Sequence, residues 1–175
     1  MVLISGIWCF CPRIQNHIAE VGISRYLSAA GLVCTVLVDT RLGRVRVERC
    51  DFAASIGRVY SPILARNQVE GGIVQGIGYA LFEERRLDPR HGWLLSGNLE
   101  DYRLCGIGDV GELSVEFLPG GFDKVRGGGV GIGELCTLPV SAGIANAVFD
   151  ATGWRPRHIP LRPDRVLAGL AEVSS

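Results

Sequence analysis

The sequence predicts an α+β fold in which mainly antiparallel strand hairpins pack against two longer helices. Residues 32–39, LVCTVLVD, have the composition of a strand, and residues 44–52, RVRVERCDF, alternate apolar and charged side chains after the turn TRLG. Apolar residues recur at helical spacing in two later segments, at 62–84 and after Pro139. A chain of 175 residues is long enough for one domain with a single buried core.

The overall composition excludes two classes of partner. Lys+Arg and Asp+Glu both number 18, so the balance gives no electrostatic reason to expect binding to nucleic acid or to an acidic membrane surface. Hydrophobic residues make up 47% of the chain, which indicates a packed fold. No apolar run reaches the ~18 residues that a membrane span needs.

The six cysteines form no CxxC pair and no regular framework, and the N-terminus lacks the features of a secretion signal. We therefore expect a reducing, cytoplasmic compartment. Cys9 and Cys11, with His17 nearby, fit no common zinc spacing, so we assign no metal ligands to side chains of this chain.

Residues 1–31 stay an unassigned N-terminal segment, in which residues 1–12 are interpreted as an edge element or a poorly ordered end. Residues 32–175 are predicted to form one domain that begins with the hairpin. A long helix follows, with Ser61 as its N-cap and Pro62 at its first position, and it extends to about Glu84. Its apolar stripe consists of Val69, Ile73, Ile77 and Leu81.

This helix contains the glycine cluster GGIVQGIG. Its four glycines together cost roughly 3–4 kcal/mol in helix propensity relative to alanine; they are Gly71, Gly72, Gly76 and Gly78. Two explanations are open: close packing of the helix on the sheet, and a cofactor that lies against the helix. Gln75 is the only amide side chain in the cluster, and it can offer a heterocycle both donors and an acceptor.

The segment between the two helices is predicted to extend the sheet. Residues 85–95 are interpreted as two short strands about a turn, and residues 111–120 contain a further strand. Gly106, Gly108 and Gly111 match GxGxxG, yet we reject a dinucleotide site because the motif does not follow an apolar strand or open a helix. Near the C-terminus, HIPLR is predicted to be a strand that includes His158, and PDRVLAGLAEV a short capped helix.

The second glycine cluster, GGGVGIGE at 127–134, ends in one carboxylate, Glu134. A flexible surface loop is one interpretation, and a wall along which the backbone approaches a bulky ligand is the other. The second is favoured because a helix follows directly, with Thr137 as cap, Pro139 in the first turn and Gly153 as the stop.

The sequence has no GxSxG elbow, Walker-type lysine loop or HExxH, which removes support for hydrolase triads and phosphoryl transfer. Glu134 is thus the best catalytic candidate. An apolar, glycine-walled pocket would disfavour its charged form and move its pKa towards the range in which a general base works best.

Several blocks, in this order, resemble the C-terminal part of the molybdenum-binding subunit of the xanthine dehydrogenase and aldehyde oxidase family, from about Val36 to about Leu170. They are GRVYSPILARNQVEGGIVQGIGYALFEE, NLEDYRL, VGIGELCTLPVSAGIANAVFDATG and IPLRPDRVLAGL. The resemblance implies the fold of the second molybdenum-cofactor-binding domain of these enzymes. It also implies a molybdopterin-type cofactor, possibly in a dinucleotide form.

The resemblance further assigns roles to particular residues. Glu134 stands where the family's GxGE block has the active-site base beside molybdenum, and Gln75 stands where the VQG block contacts the pterin. The backbone near these residues would approach the cofactor at Gly72, Gly76, Gly131, Ile132 and Gly133. The implied reaction is hydroxylation of a small aldehyde or an N-heterocycle carbon with oxygen derived from water.

The chain also departs from the family pattern. Val130 replaces a frequent lysine, Leu135 and Cys136 replace prolines, and Ser61 replaces an asparagine, which affects the substrate pocket more than the base. The family's subunit is several times longer, and this sequence has no CxxxxCxxC motif for iron-sulfur centres. One hypothesis is a catalytic segment completed by an N-terminal portion of the molybdenum subunit, with iron-sulfur and possibly FAD subunits. The alternative is a truncated, cofactor-free remnant or interaction module.

Overall fold

A five-stranded sheet forms the centre of the structure, a computed structural model that describes residues 2–5, 9–13 and 28–173. The strands are β1 (Val2–Ser5), β2 (Cys9–Arg13), β3 (Ser28–Asp39), β4 (Arg44–Ser55) and β5 (Glu112–Leu118). β1 and β2 pair antiparallel with β3, β3 pairs antiparallel with β4, and β4 pairs parallel with β5. The predicted α+β class with a mainly antiparallel sheet is confirmed.

The predicted hairpin is formed by β3 and β4, and both strands are longer than predicted. Asp39 closes the turn, because its side chain accepts hydrogen bonds from the backbone N–H groups of Arg41 and Leu42 at 2.9 and 3.0 Å. A β-bulge at Glu48 adds one residue to β4, since Thr35 pairs with Arg49 while Val36 pairs with Val47. The bulge changes which positions of β4 face the core beyond Val47.

Three helices cover the sheet: α1 (Pro62–Leu81), α2 (Val140–Thr152) and α3 (Pro163–Val173). The predicted stripe of α1 is buried at all four positions. On β3, buried and partly exposed residues alternate strictly, so one face of this strand meets the helices. The central buried side chains are Leu32, Cys34, Val36, Phe52, Ile73, Ile77, Val140, Ile144 and Val148.

Close packing accounts for two glycines of α1, although the neighbour differs from the sheet proposed above. A Cβ at Gly72 would overlap the side chain of Cys136, and a Cβ at Gly76 would overlap that of Val140. The Ser141 hydroxyl also donates a hydrogen bond to the Gly76 carbonyl at 3.2 Å. The glycines therefore let α1 approach the segment that leads into α2.

Two predicted strand segments are wrong. Residues 158–162 form no strand; the peptide bond between Ile159 and Pro160 is cis, and Leu161 N–H donates to the Ala80 carbonyl at the end of α1 at 2.7 Å. Pro160 has no N–H to offer a neighbouring strand. In residues 85–95, a single bridge between Leu87 and Leu94 replaces the two short strands.

The helix ends differ from prediction in their caps. Ser61 is the N-cap of α1, but its side chain makes no capping hydrogen bond. Pro139, which has no side-chain acceptor, takes the N-cap position of α2 that was assigned to Thr137. Gly153 ends α2 in the left-handed conformation, as predicted, with φ 75°.

The GxGxxG match has a structural explanation that involves no nucleotide. Gly106 precedes a short 3-10 helix, Ile107–Asp109, and the chain then enters β5, so the strand and helix that a dinucleotide site requires do not flank the motif. A Cβ at Gly111 would overlap the backbone of Glu48, the bulged residue of β4. Gly111 therefore permits the β4–β5 pairing beside the bulge.

No helix in the described ranges is both long and apolar enough to cross a membrane.

Candidate functional site

The glycine loop at 127–134 is fixed to the segment that follows β4. Arg58 N–H donates to the Gly128 carbonyl at 2.7 Å, and Val130 N–H donates to the Ile56 carbonyl at 3.0 Å. The Tyr60 hydroxyl also donates to the carbonyl of Gly127. These bonds argue against the interpretation of this stretch as a flexible loop.

Three of the five glycines are required by this attachment. Gly127 and Gly128 have φ values of 88° and 75°, which side-chain-bearing residues rarely adopt. A Cβ at Gly129 would overlap the carbonyl of Arg58. The first part of the loop is therefore glycine-rich for reasons internal to the fold.

Gly131 and Gly133 have no such reason among the described residues. A Cβ at either position would meet no atom of those residues within 4 Å, and neither glycine has a positive φ. Both are exposed, and the half-buried Ile132 between them packs against the core. The loop thus presents bare backbone at an open surface, which fits the contact with a bulky planar group predicted for these residues.

Glu134 follows this bare backbone and is exposed in the structure. Its position is set by a turn in which Leu135 N–H and the Cys136 thiol both donate to the Ile132 carbonyl, each at 3.1 Å. Leu135 and Cys136 are buried, so they hold the turn in the core. The described residues do not enclose Glu134 in the apolar pocket considered above, because the neighbouring glycines supply no side-chain walls.

Cys136 is the titratable group that the structure affects most near this turn. Burial raises the pKa of its thiol to about 11, since desolvation disfavours the thiolate. The thiol is therefore neutral at pH 7 and serves packing and hydrogen bonding.

Gln75 lies on an exposed position of α1, in the turn of the helix that contacts the segment after Glu134. Gly72 and Gly76 flank Gln75 and make that contact, so their assigned contact with a cofactor stays a prediction. The Gln75 amide nitrogen donates a hydrogen bond to the Tyr79 hydroxyl at 2.6 Å. One N–H is thereby committed, and the amide oxygen stays available to accept a hydrogen bond from a ligand.

Two further residues belong to this surface. Gly71, which was noted above only as a member of the glycine cluster, is exposed, and a Cβ there would meet no atom of the described residues within 4 Å. Tyr79 is 37% exposed, and sequence reasoning missed it. Residues 71, 75 and 79 follow the i, i+4 spacing that places side chains along one face of a helix. That spacing was visible in the sequence and identifies the face of α1 that carries Gln75.

Within the part of the chain that the structure describes, no group of three or more His, Cys, Asp or Glu side chains is arranged to hold a metal ion. His17 and the side chains of Cys9 and Cys11, considered above as metal ligands, lie outside that part. A metal at this surface would need its ligands from an organic cofactor or from other residues.

A family model described as "Molybdopterin cofactor-binding domain" matches residues 10–111. This range contains the hairpin and α1 with Gln75, and it ends before the loop that carries Glu134. The match thus supports the predicted family through more than half of the sequence.

Curated relatives point to the same family. The chain is 37% identical over 146 residues to the aldehyde oxidoreductase molybdenum-binding subunit PaoC of Escherichia coli (strain K12). This match covers 82% of this chain and 20% of PaoC. The chain is 35% identical over 160 residues to the xanthine dehydrogenase molybdenum-binding subunit of Escherichia coli O157:H7, covering 87% of this chain and 21% of that protein. The chain therefore spans about a fifth of the length of these relatives.

The structure is similar to part of the crystal structure of quinoline 2-oxidoreductase from Pseudomonas putida 86. The TM-score is 0.79 at 28% identity, and the similarity covers 85% of this chain and 19% of that chain. The similarity of the fold thus agrees with the similarity of the sequence.

Proposed function

This chain belongs to the molybdopterin cofactor-binding domain family of molybdenum hydroxylase-type oxidoreductases, and from that premise we propose that it forms one side of an active site that hydroxylates an aldehyde or N-heterocycle carbon. The oxygen would come from water. The cofactor would be a molybdopterin-type molybdenum cofactor, possibly a dinucleotide. When bound, it would supply the two-electron redox chemistry that protein side chains cannot perform.

The observation that carries this proposal is the bare backbone at Gly131 and Gly133. Glycine at these positions costs conformational entropy on folding, and nothing in the described packing or backbone geometry requires it. A pterin and its metal need backbone at close range. The two glycines have a physical reason if such a group lies against them.

Gln75 would bind and orient the cofactor through its amide. Its hydrogen bond to Tyr79 restricts rotation of the amide and leaves the oxygen as an acceptor for an N–H of the ligand. The backbone at Ile132 would provide a further contact. These residues therefore set the orientation of the group relative to Glu134.

Glu134 would act as the general base. A carboxylate accepts a proton in its ionised form, and its efficiency rises as its pKa approaches the working pH. In the described residues Glu134 is exposed, so further surroundings of the base would come from the remainder of the subunit.

We further propose that the remainder of the subunit supplies the other cofactor contacts, with iron-sulfur and possibly FAD subunits carrying electrons away. The chain spans only about a fifth of its relatives, which are themselves molybdenum-binding subunits. Many apolar side chains are exposed along residues 60–64 and 93–107, as expected for surfaces that another protein part covers.

The proposal is tested by measuring molybdenum per chain on material purified through a tag on this chain from its native cell, and by weighing the co-purifying chains. We expect near-stoichiometric molybdenum together with a large partner, or with a longer chain that contains this sequence. A folded, metal-free chain without a partner would favour the cofactor-free remnant or interaction module instead.

A further inference from the structure

Two cysteines that are 16 positions apart in the sequence meet inside the sheet. Cys34 on β3 pairs directly with Cys50 on β4, and their Sγ atoms lie 3.4 Å apart. Both side chains belong to the buried core. The six cysteines have no regular spacing in the sequence, so this contact results from the register of the hairpin.

The backbone at this pair meets the distance requirement of a disulfide. Residues directly opposite each other in antiparallel strands have Cα atoms about 4.5–5.5 Å apart, and disulfides join Cα atoms about 4.4–6.8 Å apart. Directly paired residues also project from the same face of the two strands. A bond between the sulfurs therefore needs rotation of the side chains rather than a shift of the strands.

Helix α2 covers the pair. A Cβ at Gly143 would lie 3.4 Å from Cys34 Sγ, so the bare backbone of α2 rests on this sulfur. Within the described ranges both cysteines are 0% exposed, which keeps a bulky oxidant from contacting either sulfur in the closed fold. Hydrogen peroxide is nearly as small as water, and brief local openings of the fold are enough to admit it.

We propose that Cys34 and Cys50 are a site of reversible oxidation, at which hydrogen peroxide converts the two thiols into a disulfide that joins β3 to β4. The sulfur of one thiol attacks a peroxide oxygen. The O–O bond breaks, one water leaves with the thiol proton, and a sulfenic acid remains.

The second sulfur completes the reaction because it already lies beside the first. It attacks the sulfenic sulfur, so that the S–S bond forms and the S–O bond breaks. The hydroxyl leaves as a second water with the proton of the second thiol. In sum, the two thiols lose two electrons and two protons, and one peroxide is reduced to two waters.

The disulfide would fix the hairpin beside its bulge. Thr35 pairs with Arg49 next to the cysteine pair, and the bulge at Glu48 follows immediately. A crosslink between the strands restricts the unfolded chain and leaves the folded register in place. The oxidised chain should therefore unfold at a temperature roughly 5–10 °C above that of the reduced chain.

The test maps the bond in the full chain. The chain is reduced, freed of reductant and treated with hydrogen peroxide, and free thiols are then blocked with N-ethylmaleimide in denaturant. Tryptic cleavage places the two cysteines in separate peptides, 26–41 and 50–58. We expect these peptides to be linked, with a mass two hydrogens below their sum, and to separate on treatment with dithiothreitol.

Three variants locate the reaction. Cys50→Ala and Cys34→Ala should each give no linked peptides and no rise in unfolding temperature after peroxide treatment. Cys105→Ala is the control and should keep both effects. Cys105 is partly exposed, so it would react first if exposure rather than proximity decided the chemistry. Thermal unfolding of the reduced variants verifies that each is folded.

Unlinked peptides with Cys34 and Cys50 both blocked would overturn the proposal, as would a link from either of them to Cys105 or Cys136. A linked chain that unfolds at the temperature of the reduced chain would refute the stabilising role of the bond. None of these measurements involves molybdenum, so this site and the proposed catalytic site can fail separately.

Discussion

Glu134 occupies an exposed turn whose neighbours on both sides are fixed in the fold. Leu135 and Cys136 are buried beyond it, and the preceding glycines contribute no side chains. At Gly131 the described residues leave open space for a Cβ. Substitutions at these two positions test the proposed base and the proposed cofactor contact separately.

We expect Glu134→Gln to lower the rate of hydroxylation by the assembled enzyme roughly 10²- to 10⁴-fold, which in practice abolishes activity. The glutamine amide keeps the shape of the carboxylate but cannot accept the proton. Molybdenum content should stay near that of the wild type. Steady-state turnover and elemental analysis on the same preparation measure both quantities. Glu70→Gln, on the exposed side of α1, is the control, and retention of most of the activity by Glu134→Gln would exclude this base.

We expect Gly131→Val to lower cofactor occupancy while leaving the thermal unfolding temperature of the chain unchanged. A Cβ at this position meets no atom of the described residues within 4 Å, so we attribute a loss of occupancy to a clash with the bound group. Molybdenum per chain and differential scanning calorimetry measure the two effects. The cofactor occupancy of Gly131→Ala should lie between those of the wild type and the valine variant. Unchanged occupancy in both variants would contradict a cofactor contact at Gly131.

At the scale of elements, the contact between α1 and α2 depends on glycines that the helix itself disfavours. A Cβ would overlap Val140 at Gly76 and Cys136 at Gly72, whereas at Gly71, on the outer face, it would meet no atom of the described residues within 4 Å. Glycine in α1 therefore has two different surroundings on opposite faces of the helix. Alanine substitutions distinguish them.

We expect Gly76→Ala to destabilise the chain by about 1–3 kcal/mol, because overpacking against Val140 outweighs the gain in helix propensity. Gly71→Ala, its matched control, should stabilise the chain by up to about 1 kcal/mol. Urea denaturation gives both free energies of unfolding. Equal effects of the two substitutions would show that the packing at Gly76 adapts to a methyl group.

Local patterns in the sequence predicted the hairpin, the three helices and the C-terminal stop at Gly153, because periodicity and turn chemistry are local properties. The bulge at Glu48 and the parallel partner of β4 depend on residues far apart in the chain, so the local pattern could not reveal them. Residues 158–162 look like a strand in composition, but Pro160 removes the donor and Leu161 bonds to α1 instead.

The candidate site was only partly predictable for a related reason. Glu134 and Gln75 were identified by motif and resemblance, and the structure adds the open backbone at Gly131 and Gly133 that gives the motif a physical basis. The described residues leave Glu134 exposed, so the apolar pocket expected around it stays a prediction.

At the scale of the whole molecule, an ion-pair network joins the end of the α1 segment to α3. Glu84 binds Arg162 at 2.7 Å and Arg165 at 2.6 Å. The hydrogen bond from Arg162 is the main cause that lowers the pKa of the Glu84 carboxyl below its ordinary value of 4.5. Glu84 therefore contributes stability above its unfolded pKa, and this contribution is lost as the pH falls through the folded pKa.

We expect Glu84→Gln to reduce the free energy of unfolding at pH 7 by about 1–2 kcal/mol, because two charge-assisted hydrogen bonds are weakened. Well below pH 4 the difference from the wild type should disappear, since Glu84 is then protonated in both states. Urea denaturation at pH 7 and at decreasing pH measures this. Glu70→Gln should change stability by at most about 0.5 kcal/mol, and a difference at Glu84 that persists in acid would contradict the assigned role.

The parallel pairing of β4 with β5 has a consequence for synthesis of the chain. β4 ends at Ser55 and its second neighbour begins at Glu112, so the whole stretch from residue 56 to residue 111 must leave the ribosome before this edge can be paired. At ~5–20 residues per second this takes about 3–11 s, long after the hairpin can form. During that interval one edge of β4 offers unpaired backbone groups to other nascent chains. The risk of aggregation is therefore concentrated in this period of translation, before β5 can cover that edge.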